Sequence, residues 1–168
     1  MIEVQFCSFK SFFGDLIPWF GAAPDGVGHV DAIFPEGLLG AQHQSLGGKP
    51  SGVYMRPMDY GKTCGMRGRV RVSFDVKKNQ EDIFRAFLLN QIGKPYDVMS
   101  IKDFFTGSAG RDWRQSDSWF CSELIAAALE QARVFQNQLE SPVNKITPGG
   151  LLLVCSAFVT CSRISDDA

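Results

Sequence analysis

A cysteine at the mouth of an apolar helix is a ready nucleophile. Cys121 stands in Trp119-Phe120-Cys121-Ser122-Glu123-Leu124-Ile125, directly after the polar run Ser116, Asp117, Ser118. Side-chain oxygens of that run are expected to cap the free amides of a helix start, which places Cys121 in the first turn. There the exposed N–H groups and the helix dipole favour thiolate over thiol. The thiolate is the form that attacks a carbonyl carbon.

Such a thiol needs a base. The chain has two histidines, His29 and His43, on either side of Pro35-Glu36-Gly37. With 35–37 as a three-residue hairpin loop, Phe34 faces Leu38 and His29 sits opposite His43, both side chains on one face. A slip of one residue turns His43 to the other face and brings Gln42 or Gln44 round instead. The set read from these residues has Cys121 as nucleophile and His29 as general base, later general acid. His43, or a neighbouring glutamine such as Gln42, orients the ring. The backbone N–H of Cys121 would help hold the oxyanion, and Tyr96 is a further donor candidate. Taken singly, each residue has a plainer reading: a cysteine on an apolar helix face is usually core, and a strand histidine is usually structural. The combination is what points to chemistry.

The elements that must position these groups follow from periodicity. Ile2 to Cys7, Gly28 to Phe34, Leu38 to His43, Val53 to Pro57 and Arg69 to Val76 read as strands, with alternation clearest at Val70, Val72, Phe74 and Val76. Asn79 to Ile92 has helical spacing and is stopped by Gly93-Lys94-Pro95. Trp119 to Ala132 is the cysteine helix, with Cys121, Leu124, Ile125, Ala128 and Leu129 on one face. Met99 to Phe105 reads as a short helix, and Ser11 to Phe20 as a short helix or packed loop. Thr147-Pro148 opens a last helix, and Ala157 to Ile164 reads as a closing strand. The fold class is α+β: an antiparallel sheet from the first half packed on helices from the second.

The 168 residues suit one domain, 1–168, with a sizeable core. A net charge of −1 gives no argument for nucleic acid or an anionic membrane. The longest apolar stretch, Leu151 to Val159, is too short to span a bilayer. Met1 to Phe13 shows no secretory signal, so the cytoplasm is the default location. The five cysteines, Cys7, Cys64, Cys121, Cys155 and Cys161, are odd in number and irregularly spaced, which argues against a disulfide framework. No close Cys/His pairing suggests zinc, and no metal or cofactor is expected.

Four blocks together resemble a known family. They are Gly28-His29-Val30 with its hairpin, Gly93-Lys94-Pro95-Tyr96-Asp97, Trp119 to Ile125, and Ile146-Thr147-Pro148 before Leu151. In this order they resemble the permuted NlpC/P60 group of papain-like proteins, to which the YiiX-like hydrolases and the lecithin–retinol acyltransferase relatives belong. The resemblance runs from about Gly28 to Leu153. It implies a circularly permuted papain-like core with His29 as base and Cys121 as nucleophile. Matching the hairpin without gaps to the acyltransferase branch places Ala41 at the family's third, polar position; His43, two residues on, could replace it. The implied activity is a cysteine hydrolase that cleaves an amide or ester through a thioester, with cell-wall peptides as the substrate class. Three alternatives stand beside it: a lipid acyltransferase, a papain-like binding module whose third position is lost, and a phage-associated structural protein.

Overall fold

The centre of the sheet is formed by the strand that comes first in the chain. The computed structural model describes residues 1–9, 27–64, 66–97, 117–135, 146–158 and 161–164. Six strands lie in it: β1 Ile2–Phe9, β2 His29–Phe34, β3 Gly37–Gln42, β4 Gly52–Arg56, β5 Met66–Phe74 and β6 Cys161–Ile164. They pair antiparallel in the order β4-β3-β2-β1-β5-β6. A 3-10 turn, Tyr60–Cys64, joins β4 to β5. The helices are α1 Lys78–Leu89, α2 Cys121–Gln131 and α3 Pro148–Ser156. The chain is therefore α+β, as its periodicity implies. The expected helices at 99–105 and within 11–20 lie outside the described residues.

Alternation along β1 and β2 sorts two sets of side chains. Val4, Phe6, Val30, Ala32 and Phe34 join one apolar cluster with Phe84 and Leu88 of α1 and Leu124, Ile125 and Ala128 of α2. The alternate set is polar or small: Gln5, Cys7, His29 and Asp31. All four are buried. A strand buried on both faces ordinarily carries apolar residues on both. Here one face carries polar groups that must find partners inside the protein.

The hairpin register differs from the expected one. Phe34 pairs with Gly37, Ile33 with Leu38 and Ala32 with Leu39. The turn is therefore Pro35-Glu36 alone, and Gly37 belongs to β3, at φ 146°. A Cβ on Gly37 would lie 2.3 Å from the Arg56 carbonyl oxygen, so close approach of β4 requires glycine there. Carried back along the ladder, this register sets Gly40 opposite Asp31 and Gln42 opposite His29. His43 falls beyond the end of β3.

Candidate active site

The start of α2 is fixed by backbone pairing rather than by the polar run before it. Trp119 forms a parallel bridge with Tyr96. Its N–H donates to the Pro95 carbonyl at 3.1 Å, and its carbonyl accepts from the Asp97 N–H at 3.0 Å. The Trp119 indole N–H donates to Gln91 Oε1 at 3.1 Å. Phe120 is thus extended and serves as the N-cap, with no side-chain cap of its own. The expected cap by Asp117 or Ser118 gives way to this bridge, and Ser116 lies outside the described residues. Glu123 reaches back instead and accepts the Phe120 N–H through Oε2 at 3.2 Å, half of a capping box. Cys121 is the first residue of α2, and the sulfur is held where the helix dipole favours negative charge.

A second helix start braces the same element. Thr147 caps α3 by accepting the Gly150 N–H at 2.9 Å, with Pro148 in the first turn. The Ser122 hydroxyl donates to the Ile146 carbonyl just before that cap. The residue after Cys121 is thereby tied to α3.

His29 begins β2 and is buried. Its Nε2 lies 2.8 Å from Asp31 Oδ1. The two residues alternate on one strand and share a face. A side-chain hydrogen bond and the charge of Cys121 also act on the ring. The structure therefore brings sulfur, imidazole and carboxylate together.

Asp31 is itself surrounded. Tyr60 donates its hydroxyl to Asp31 Oδ2 at 2.7 Å, and the phenol oxygen lies 3.1 Å from His29 Nε2. The Gln5 amide approaches Asp31 Oδ2 at 3.4 Å. A Cβ on residue 40 would lie 2.2 Å from Asp31 Oδ1, so only glycine leaves room for the carboxylate. Arg56 is buried beside this group. Its guanidinium donates to the carbonyls of Gly40, Pro50, Gly52 and Tyr54 and adds a positive field at Asp31.

These contacts set the charges. Burial pulls the His29 pKa down. The Asp31 charge and hydrogen bond, joined by the interaction with Cys121, outweigh it and push the value up to about 10. Burial pushes the Asp31 carboxyl up. The His29 charge and hydrogen bond, the Tyr60 hydrogen bond and Arg56 together hold it below its ordinary value. Burial and then the Asp31 charge raise the Tyr60 phenol well above its usual range. At neutral pH the site holds an imidazolium, a carboxylate and a neutral phenol.

Of the other residues read from the sequence, His43 sits elsewhere, whereas the register brings Gln42 opposite His29 and Tyr96 lies near Cys121. The His43 ring packs edge-on against Tyr96, with centroids 5.5 Å apart. The shorter turn takes His43 off the His29 face, and Asp31 lies against the ring instead. Gln42 is buried, and its Oε1 accepts the His43 N–H at 3.1 Å. Tyr96 lies in the field of Cys121, Glu123 and Asp97. Burial first, then those charges, raise its phenol well above the usual value. Its ring also packs 5.7 Å from that of Phe120. Sequence reasoning missed Asp31, Tyr60, Arg56 and Gln5. The His29-Val30-Asp31 spacing was the available signal, because alternate residues of a strand face the same way.

The chain superimposes on the crystal structure of metalloprotein YiiX from Escherichia coli O157:H7 with a TM-score of 0.60. The match covers 98% of this chain and 95% of that one at 14% sequence identity. The fold is YiiX-like. At that identity the likeness concerns backbone architecture alone. No family model matches the sequence, and no curated protein matches it. Among the described residues, no helix is long and apolar enough to cross a membrane.

Proposed function

We propose that the protein is a cysteine hydrolase acting on an amide or ester bond through a thioester. The observation that carries this reading is the His29 ring, bound through Nε2 to Asp31 and hydrogen-bonded to Cys121. A nucleophile beside a base, with the base oriented by a third group, is the general arrangement for covalent acyl transfer. The YiiX-like fold and the resemblance to permuted NlpC/P60 proteins agree with it, and they suggest a cell-wall type peptide as substrate.

In this mechanism the Cys121 thiolate attacks the substrate carbonyl carbon and forms a C–S bond. The N–H of Cys121, at a helix start, faces the developing oxyanion. The tetrahedral intermediate collapses as the bond to the leaving amine or alcohol breaks, and His29 supplies the proton that the leaving group takes. Neutral His29 then accepts a proton from water, whose oxygen attacks the thioester. The acid leaves, and Cys121 and His29 return to their starting protonation. Asp31 stays ionised throughout and balances the imidazolium.

The YiiX structure is described as a metalloprotein, but the described residues of this chain do not fit a metal. His29 Nε2 and Asp31 Oδ1 are spent on each other at 2.8 Å. Among the described residues, no three His, Cys, Asp or Glu side chains converge to hold an ion.

The burial of Cys121, at 1% exposure, favours a second reading, a binding module whose thiol is closed to substrate. Thiol labelling separates the two. For the hydrolase, iodoacetamide modifies Cys121 much faster than the other four cysteines near neutral pH, and His29→Ala slows it. A panel of peptide and ester substrates then shows turnover that Cys121→Ala abolishes. Equal, slow labelling of all five cysteines with no turnover on the panel supports the binding module.

A further inference from the structure

Resting on the hydrolase reading, we infer that Tyr60 is a positioning residue that fixes which nitrogen of His29 serves as the base. The argument is one of proton inventory. A phenol has one proton to give. Tyr60 gives it to Asp31 Oδ2 at 2.7 Å, a shorter contact than its 3.1 Å to His29 Nε2. Toward His29 Nε2, 3.1 Å away, the same oxygen can then only accept. Asp31 Oδ1, at 2.8 Å from Nε2, is an acceptor as well. Both neighbours of Nε2 therefore demand a proton from it. His29 keeps Nε2–H in either charge state, and Nδ1 is the nitrogen that exchanges a proton with the Cys121 sulfur. Without the hydroxyl, Asp31 Oδ2 loses its short donor and keeps the longer approach of the Gln5 amide at 3.4 Å, so the carboxylate is held less firmly against the ring.

The location of Tyr60 suits this role. It opens the 3-10 turn after β4, and its N–H donates to the Pro57 carbonyl at 3.1 Å. A Cβ at Gly47 would lie 2.9 Å from the Tyr60 Cβ, so the ring root is packed against a glycine at φ 59°. Tyr60 is 3% exposed, which excludes water from competing for the bond. It belongs to none of the sequence blocks that carry the family resemblance.

The groups facing Asp31 are His29 on its own strand, Tyr60 from the turn, Arg56 from β4 and the Gln5 amide from β1. Cys7 of β1 pairs with His29 in the ladder, and Cys121 reaches the ring from α2. Of these, Tyr60 is the neutral hydroxyl whose removal leaves every formal charge in place. The test is the rate of Cys121 alkylation by iodoacetamide as a function of pH in wild type and Tyr60→Phe. Loss of a donor raises the carboxyl pKa of Asp31 toward its ordinary value, so the acid limb of the profile moves to higher pH. Because the carboxylate no longer fixes the ring, the rate at neutral pH separately falls about tenfold, while the thermal midpoint moves by only a few degrees. An unshifted acid limb with an unchanged rate overturns the inference. If Tyr60→Phe does not fold, the wild-type phenol proton is read by NMR. A slowly exchanging hydroxyl signal coupled to the Tyr60 ring supports the assignment, and a freely exchanging one overturns it. Slow wild-type labelling of Cys121 is a different result: it removes the nucleophile reading itself.

Discussion

His29 and Asp31 lie two residues apart on one strand, and the 2.8 Å contact between Nε2 and Oδ1 makes them a unit without help from the neighbouring strand. The pair does not depend on hairpin register. It depends on the space opposite, on the charge of the carboxylate and on the approach of α2, and each of these can be tested.

The charge comes first. Asp31→Asn keeps the shape of the side chain and removes the countercharge that raises the His29 pKa. The imidazolium beside the sulfur is weakened. Cys121 labelling at neutral pH falls about 100-fold, in the range a positioned proton acceptor supplies. Mass spectrometry of the labelled protein measures this. A loss under threefold would show that Asp31 is not what holds the ring in its charged form.

The space opposite Asp31 is set by Gly40. A methyl group there meets Oδ1 at 2.2 Å, and the carboxylate is held on the far side by Tyr60 and His29. Gly40→Ala must therefore break one of those bonds or shift β3. The expected cost is about 1–3 kcal/mol in urea unfolding, with slower Cys121 labelling. Stability and labelling both equal to wild type would mean that the hairpin can yield without disturbing the pair.

Stability should follow pH in a definite direction. His29 titrates at 6.5 ordinarily and at about 10 when folded. Its contribution is complete below about pH 6.5 and is lost as pH rises through about 10. Asp31 works from the other end. Its pKa is lowered from 3.8, so its contribution is present above that value and is lost as pH falls through the folded one. The urea midpoint should decline from neutral pH toward 10, and His29→Gln should flatten that decline. An equal alkaline slope in both proteins assigns the decline to other groups.

The approach of α2 rests on Trp119, whose buried indole N–H has Gln91 Oε1 as acceptor at 3.1 Å. Gln91→Ala leaves that proton unsatisfied, at a cost of about 1–3 kcal/mol. It also loosens the bridge that ends one residue before Phe120. Urea unfolding measures the first effect and Cys121 labelling the second. An unaltered midpoint would show that the indole finds another acceptor.

Much of the architecture was legible in the residues. The strands of the first half, the helix that begins near Cys121 and the cap at Thr147 carry strong local signals: alternation, helical spacing and a hydroxyl before proline. The site was legible in part. Cys121 and His29 meet, as the helix-start cysteine and the strand histidine suggested. The third partner did not follow, because it was sought across a turn whose length no local signal fixes. Pro35-Glu36-Gly37 can close a two- or a three-residue loop, and the choice rests on the close approach of Gly37 to Arg56, a contact made by β4. Tyr60 and Arg56 were invisible for a related reason. Each acts on Asp31 from a separate element, and neither the turn nor the strand carries a motif that announces such a contact. The cap of α2 was misplaced because the Trp119 bridge to Tyr96 is a long-range pairing.

Gln5, His29, Asp31, Arg56 and Tyr60 all precede α2 in the chain, and Cys121 comes long after them. A ribosome therefore finishes the buried polar cluster well before it makes the sulfur. Cys121 and His29 become neighbours only once the chain has been made past α2 and has folded, so their juxtaposition reports on long-range folding rather than on any local segment.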